Sequence, residues 1–119
     1  YLDLDRLDLA ASHIICTHGN RPIAYARCLP PRGACRASTL SRIVVARDMR
    51  GEGLGRELVK KAIAYNFRLW PKSPISISAQ TYLVKFYTRL GFETKGCEHL
   101  EDGIPHIAMR LEARSHPLT

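Results

Sequence analysis

Three glycines fall within five positions, Gly51, Gly53 and Gly55, between an apolar run and a pattern with the period of an amphipathic helix. A glycine destabilises a helix by about 0.5–1 kcal/mol relative to alanine. Three glycines at the start of a helix therefore indicate a specific structural or functional role. The first N–H groups of a helix lack intrahelical partners and carry partial positive charge, and glycines let a phosphate approach the main chain closely. The stretch therefore predicts a cradle for a pyrophosphate; the alternative is a plain turn that uses glycine for positive φ.

The spacing of these residues excludes two common phosphate-binding loops. The dinucleotide fingerprint G-x-G-x-x-G and the Walker loop G-x-x-x-x-G-K-S/T both need a glycine where this chain has Arg56. The pattern that fits is Arg50-x-x-Gly53-x-Gly55. It resembles the acyl-coenzyme A (acyl-CoA) loop of the GNAT-type N-acyltransferase superfamily, Q/R-x-x-G-x-G/A, which lies between a strand and a helix.

A second segment, residues 80–92, resembles the other recurrent stretch of that superfamily, N-x-x-A-x-x-F-Y-x-K-x-G-F. The matching residues are Phe86, Tyr87, Gly91 and Phe92. Two positions differ, because Gln80 stands at the usual Asn position and Leu83 at the usual Ala. The two segments occur in the expected order, which strengthens the resemblance.

Further stretches resemble the ElaA-like family within this superfamily, and the resemblance covers nearly the whole chain. They are YLDLDRLD near the start, AYARCLPP (24–31), SAQTYLVKFYTRLGF (78–92) and LEDGIPHIAM (100–109). Members of that family normally carry a longer segment before the equivalent of Tyr1, which forms the first strand and helices. The resemblance thus implies a GNAT-like acyl-CoA N-acyltransferase fold that lacks this N-terminal strand and these helices. Such a sheet would expose an edge, so we expect a homodimer.

Hydrophobic patterning predicts the order β-β-β-α-β-α-β-β. Strands are predicted over 12–18, 22–29, 42–46, 75–79, 92–100 and 106–111, helices from Leu54 to the prolines at 71 and 74 and around Leu83 to Leu90, and turns at Gly19-Asn20 and Asp102-Gly103. Because hairpins and β-α-β units are mixed, we expect one α/β (α+β) domain over residues 1–119, with a mixed, mostly antiparallel sheet flanked by helices. The β-branched run 42–46 suits a strand buried on both faces. A loop is predicted at Pro30, Pro31 and Gly33, and the first ten residues show no partner strand.

Composition narrows the classes of protein. The chain has 119 residues and a formal charge of +7. A positive surface attracts nucleic acid, acidic lipid or a polyphosphate cofactor; the alternative is an ordinary solvated basic surface. No apolar run is long enough to span a membrane, and no signal peptide is recognisable. Four cysteines without a C-x-x-C pair argue against a zinc or redox site, so we expect reduced thiols and a cytoplasmic protein. Charge alone suggests a nucleic-acid binder as an alternative, but a recognition helix or aromatic RNA-binding signature is lacking.

The resemblance implies direct transfer of an acetyl group from acetyl-CoA, as cosubstrate, to a primary amine of a small molecule or peptide. The residues expected to contact acetyl-CoA are Ile43, Val44, Val45, Arg50, Gly51, Glu52, Gly53, Leu54, Gly55, Arg56, Gln80 and Phe86. In this scheme the amides from Arg50 to Arg56 hold the pyrophosphate, and the strand before them pairs with the extended amide arm. An N–H near Val45 donates to the thioester carbonyl, and no metal is required.

Two side chains are expected to move protons in that reaction. Tyr87 matches the usual general acid of the superfamily, since a tyrosine with a pKa of about 10 can donate to the leaving thiolate; alternatively, its apolar helical face makes it part of the core. A general base would help to neutralise the amine. The candidates are His106, Glu98, His99, Glu101 and His13, of which His106 is preferred because it lies in the LEDGIPHIAM segment. Alternatively, His106 is a structural histidine, which is the commoner role for a histidine in a strand. A non-catalytic acyl-CoA-binding module stays open as the alternative function.

Overall fold

The computed structural model describes residues 2–3, 12–32, 36–51 and 53–113. The strands are β1 (Leu2–Asp3), β2 (Ser12–His18), β3 (Arg21–Arg32), β4 (Ala37–Val45), β5 (Ile75–Gln80), β6 (Glu93–Glu101) and β7 (Ile104–Leu111). The helices are α1 (Leu54–Leu69) and α2 (Val84–Arg89), and short 3₁₀ turns cover Arg47–Met49 and Thr81–Leu83. Neither described α-helix has both the length and the apolar character needed to cross a bilayer.

The strands form one seven-stranded sheet in the order β1-β2-β3-β4-β5-β7-β6. β4 and β5 run parallel, whereas the other neighbouring pairs in the described sheet are antiparallel. The predicted mixed, mostly antiparallel sheet with flanking helices is therefore confirmed. A parallel neighbour requires a crossover connection, and α1 supplies it between β4 and β5.

Helix α1 buries one face against the sheet. Its buried residues are Leu58, Val59, Ala62 and Asn66, and the apolar ones join the core formed by inward residues of β3, β4 and β5. Burying a leucine side chain contributes about 1.5–3 kcal/mol, so this face anchors the helix. The amide nitrogen Nδ2 of Asn66 donates to Ser38 Oγ at 3.0 Å. That bond fixes α1 on the sheet face to which Ser38 points.

Both helices cover the same face of the sheet. Ser38, which α1 contacts, is paired in register with Ile75, and Ile75 is paired with Leu111; directly paired residues point to one face. Leu111 Cδ1 lies 3.0 Å from where a Cβ on Gly91 would be, so the end of α2 packs on that face too. The opposite face carries Ser78, Gln80 and the residues paired with them, and neither described helix lies on it.

Four details differ from the sequence predictions. β4 begins at Ala37, five residues before the predicted strand over 42–46. β3 continues to Arg32, so Pro30 and Pro31 lie in a strand rather than a loop, at a register shift where the sheet tolerates proline; Gly33 lies outside the described residues. Leu2 pairs with Ile14, a partner that the acidic first residues did not indicate. The run 42–46 is not buried on both faces, because Val44 is 54% exposed.

The exposure of Val44 arises because the sheet opens between β4 and β5. These strands pair only at Ser38 with Ile75 and Thr39 with Ser76. Beyond that point β4 contains a bulge, where Arg42 has a φ of 54° and two β4 residues stand opposite one β3 residue. A bulge bends its strand, so the end of β4 diverges from β5. In the described chain, the β5-facing backbone edge of Ile43–Val45 consequently has no strand partner.

Candidate active site

The divergence of β4 and β5 creates a cleft of 460 Å³. Its lining residues are Ile43, Val44, Val45, Arg50, Gly55, Gln80, Tyr82, Leu83, Phe86 and Tyr87. One wall is the end of β4 and the turn into α1, and the other is the end of β5 with the turn and helix that follow. The cleft thus brings together residues from both sequence segments, which are far apart along the chain.

The glycine turn leaves the N-terminus of α1 open. Gly51 and Gly53 have φ values of 86° and 79°, and a Cβ at either position would meet nothing within 4 Å. The first helical hydrogen bond runs from Glu57 N–H to Gly53 O at 3.1 Å. The amides of Leu54 and Gly55 therefore precede the helical ladder, and Gly53 has no side chain to cap them. This end of α1 offers N–H donors and the positive end of the helix dipole.

The arginines predicted at the cradle occupy different positions. Arg50 Nε donates to Val45 O at 3.0 Å, which ties the turn to the end of β4 and keeps its guanidinium at the cleft. The Arg56 side chain instead lines a separate 180 Å³ cavity with Phe86 and Arg89. Gly51, Gly53 and Leu54 belong to the turn but do not line the main cleft, and Glu52 lies outside the described residues.

An ion pair holds the first part of this turn against the sheet. Arg21 on β3 makes two hydrogen bonds to Asp48, Nη1 to Oδ2 at 2.7 Å and Nη2 to Oδ1 at 2.5 Å. The hydrogen bond from Arg21 lowers the pKa of the Asp48 carboxyl, so it stays ionised at neutral pH. Both groups are exposed to solvent, so the pair orients the turn more than it stabilises the fold.

Tyr87 belongs to both the core and the cleft. It is 6% exposed, and its ring lies edge-on to Phe86 and Phe92, with centroid distances of 5.0 and 5.7 Å. Burial, and secondarily Tyr82, raises the pKa of its hydroxyl, so Tyr87 is protonated at neutral pH. Within the described chain the hydroxyl has no hydrogen-bond partner, and it is therefore free to donate to a group bound in the cleft.

His106 lies beside the cleft rather than in its wall. It is paired with Gln80, which lines the cleft, and is 8% exposed. Its Nδ1 is 2.7 Å from the carbonyl oxygen of Ile104. Since a carbonyl only accepts, Nδ1 carries the proton, and Nε2 holds the lone pair in the neutral ring. The fold therefore presents Nε2 as an acceptor one strand away from Gln80.

Three of the five base candidates meet in what we call the carboxylate–imidazole cluster: Ser78, His99, Glu101 and His106. Glu101 Oε2 accepts from Ser78 Oγ at 2.5 Å and lies 2.7 Å from His99 Nε2, while Oε1 lies 3.8 Å from His106 Nε2. The Ser78 hydroxyl and then His99 lower the pKa of Glu101, and Glu101 raises the pKa of His99. His13 lies elsewhere, hydrogen-bonded to Tyr25 on β3, and Glu98 does not belong to the cluster.

Two cleft residues and one contact in the cluster were not predicted from the sequence. Tyr82, which is 77% exposed, and Leu83 line the cleft, although only Leu83 had drawn attention, as an apolar helix position. Both follow the carboxyl end of β5, which is where ligands bind in open α/β sheets, and that rule could have indicated them. The contact between Ser78 and Glu101 had no signal in the sequence, because it depends on how β5, β7 and β6 are placed side by side.

Comparison with known proteins agrees with this architecture. The family model described as an acetyltransferase (GNAT) domain matches residues 6–113. Protein ElaA from Escherichia coli (strain K12) is 34% identical over 114 residues, which covers 94% of this chain and 74% of the relative. Both matches span nearly the whole chain, including the glycine turn and the cluster.

Solved structures show the same fold. An acyl-CoA N-acyltransferase from Pseudomonas aeruginosa has a TM-score of 0.83 at 37% identity, covering 90% of this chain and 73% of that one. The crystal structure of Escherichia coli ElaA has a TM-score of 0.82 at 33% identity, covering 92% and 75%. A GNAT family acetyltransferase from Elizabethkingia anophelis with acetyl-CoA bound shares the fold at 18% identity, with a TM-score of 0.70 and coverage of 87% and 76%. This chain belongs to the GNAT acetyltransferase family and has its fold.

Proposed function

We propose that this protein is an acetyl-CoA-dependent N-acetyltransferase that moves an acetyl group to a primary amine of a small molecule or peptide. The observation that carries the proposal is the cleft between β4 and β5, which is lined by a strand edge without a strand partner, by Gly55 of the glycine turn and by Tyr87. The acetyl-CoA in the Elizabethkingia anophelis structure is bound by a protein of the same fold, which supports the choice of cosubstrate.

The residues of the cleft suit the parts of acetyl-CoA. The amides at the start of α1, with the open space beside Gly51 and Gly53, suit the pyrophosphate. Arg50 adds a charge at the same end of the cleft. The edge of Ile43–Val45 has no strand partner, although Arg50 Nε donates to Val45 O, and it suits the extended amide arm, which can hydrogen-bond as an added strand. Gln80 and Phe86 line the other side.

The proposed reaction is a direct attack. The amine nitrogen attacks the thioester carbonyl carbon, whose oxygen accepts an N–H bond from the backbone near Val45. The C–S bond then breaks, and the thiolate takes the proton of the Tyr87 hydroxyl. The nitrogen loses its surplus proton to solvent as it becomes an amide, and the tyrosinate regains a proton from solvent. Before the attack the amine must be neutral; for an alkylamine with a pKa of about 10.4, this costs about 4.6 kcal/mol at pH 7. His106 Nε2, on the strand beside Gln80, accepts that proton.

One observation favours a second candidate function. His106 does not line the cleft, so the cleft and cradle could serve a non-catalytic acyl-CoA-binding module without any base. Isothermal titration with acetyl-CoA, combined with a thiol-release assay over a panel of amines, separates the two. We expect saturable binding and thiol release that depends on the amine. Binding without turnover on any amine would favour the module, and absence of binding would overturn both.

Cellular location, partners and oligomeric state belong to the same proposal. We infer a cytoplasmic protein that takes acetyl-CoA and an amine, rather than nucleic acid or a membrane, as its partners. A homodimer is still expected, since strand β6 is at one end of the described sheet and all nine of its residues are exposed. Sedimentation of the purified protein checks this expectation.

A further inference from the structure

The carboxylate–imidazole cluster lies on the sheet face opposite α1 and α2. Gln80 is paired with His106, and His106 with His99, so all three point to one face. Ser78 is two residues before Gln80 on β5 and therefore shares that face. The cluster consequently sits next to the cleft wall at Gln80, on the side that the described helices leave open.

The two carboxylate oxygens of Glu101 differ in their hydrogen bonding within the described chain. Oε2 is held by Ser78 and His99. Within the described chain Oε1 accepts no hydrogen bond, and no lysine or arginine pairs with Glu101, although the chain has a net charge of +7. Oε1 and the lone pair of His106 Nε2 are 3.8 Å apart. Two acceptors and a negative charge at this spacing suit one donor cation placed between them.

An ammonium group fits these acceptors better than a metal ion does. The described residues include no group of three or more His, Cys, Asp or Glu side chains able to hold a metal. An ammonium presents three N–H donors from a compact charge, so it can donate to Oε1 and Nε2 at once. The hydrogen bonds from Ser78 and His99 keep the carboxylate ionised and oriented for this contact.

We infer that Glu101 and His106 together bind the acceptor as an alkylammonium ion, so that Glu101 selects amines that are cations at neutral pH. This inference rests on the proposed function and adds the substrate class. One N–H proton of the ammonium passes to His106 Nε2, which leaves the nitrogen lone pair on the neutral amine free to attack. The resulting imidazolium lies beside the Glu101 carboxylate, which stabilises it. Arylamines, which are neutral at that pH, gain nothing from Glu101.

The first test measures binding without turnover. Histidine imidazole resonances are followed by NMR at pH 7 during titration with butylammonium, and with butan-1-ol as an uncharged probe of the same shape, in the absence of acetyl-CoA. We expect the His99 and His106 signals to shift with butylammonium only, and Glu101→Gln to weaken that binding about 10- to 100-fold. Absence of a shift in the wild type, or equal affinity in Glu101→Gln, overturns the inference.

The second test measures turnover against a matched control. In the thiol-release assay, Glu101→Gln should raise KM for cyclohexylamine about tenfold or more, change kcat less, and leave KM for aniline unchanged. The matched control is Glu93→Gln, on the same strand. The Glu93 side chain is 72% exposed, and its Oε1 lies 3.8 Å from Lys95 Nζ. This variant should leave KM for both amines unchanged. Titration with acetyl-CoA checks that both variants bind it with the affinity of the wild type. If acetyl-CoA fails to bind the wild type, the proposed function fails, whereas the butylammonium titration still decides this inference.

Discussion

The substitution Tyr87→Phe tests the proposed role of Tyr87 as general acid, because it removes the hydroxyl and keeps the packed ring. In Tyr87→Phe the ring stays between Phe86 and Phe92, and only an oxygen without a partner in the described chain is lost. Removing a hydroxyl that makes no hydrogen bond does not destabilise a fold, so the free energy of unfolding should be unchanged. Loss of a general acid typically costs 10²–10⁴ in rate. We therefore expect kcat at pH 7 to fall about 100-fold, which corresponds to about 2.7 kcal/mol.

The pH dependence of this loss has a definite sign. A thiol has a pKa of about 8.5, so at lower pH the departing thiolate benefits from a proton, and at higher pH it leaves as a stable anion. Burial raises the pKa of Tyr87, so the wild-type hydroxyl keeps its proton over this range. The ratio of wild-type to Tyr87→Phe kcat should therefore be largest near pH 6.5 and decline above about 8.5.

The assay combines thiol release at saturating acetyl-CoA, titration of acetyl-CoA binding, and denaturant unfolding. Tyr65→Phe is the matched control, because Tyr65 Oη donates to Ser12 Oγ at 2.9 Å, away from the cleft. It should lose about 0.5–1.5 kcal/mol of stability and keep its kcat. Wild-type kcat in Tyr87→Phe at pH 7 would show that Tyr87 is only a core residue and would refute the assignment.

Three further predictions concern the cradle, the core and the cluster. Gly53→Val should abolish detectable acetyl-CoA binding in titration calorimetry, because valine is strained at a φ of 79° and its side chain fills the cradle. The control is Gly96→Val on β6, where φ is 81°. It imposes similar backbone strain and should leave binding intact. Asn66→Ala removes a buried hydrogen bond from α1 and should lower the free energy of unfolding by about 1–3 kcal/mol in denaturant titrations. The lowered pKa of Glu101 adds stability above about pH 4.3, and the raised pKa of His99 adds stability below about 6.5. Glu101→Gln should therefore lose most stability between those values, and equal losses from pH 4 to 9 would contradict this.

The fold was predictable where local chemistry determines it. The turns at Gly19-Asn20 and Asp102-Gly103 and the helix that starts at Leu54 follow from residue types within a few positions, and the structure has all three. The exposure of Val44 was not predictable. A β-branched run reads as a buried strand, and only the bulge at Arg42 and the short pairing with β5 turn its edge toward solvent. Both depend on contacts between segments distant in sequence.

The same distinction applies to the candidate site. The glycine turn and Tyr87 were identified because each belongs to a segment with its own spacing pattern, and the structure places Gly55 and Tyr87 at one cleft. Glu101 and His99 were named only among several candidates for a base. Their joint contact with Ser78 crosses β7 and appears only once the strand order is known. No local pattern could have singled them out.

The two sides of the cleft carry opposite charges. Under the proposed function, this difference directs acetyl-CoA to one side and the acceptor amine to the other. On one side the N-terminus of α1 and Arg50 supply positive potential, which suits the phosphates of acetyl-CoA. On the opposite sheet face Glu101 is an anion with a free oxygen, which suits an ammonium. The two substrates would then approach from opposite faces, and the divergence of β4 from β5 is the opening through which they meet. A strand that paired fully with its neighbour would close that opening, so the bulge in β4 is the feature of the fold on which the reaction depends.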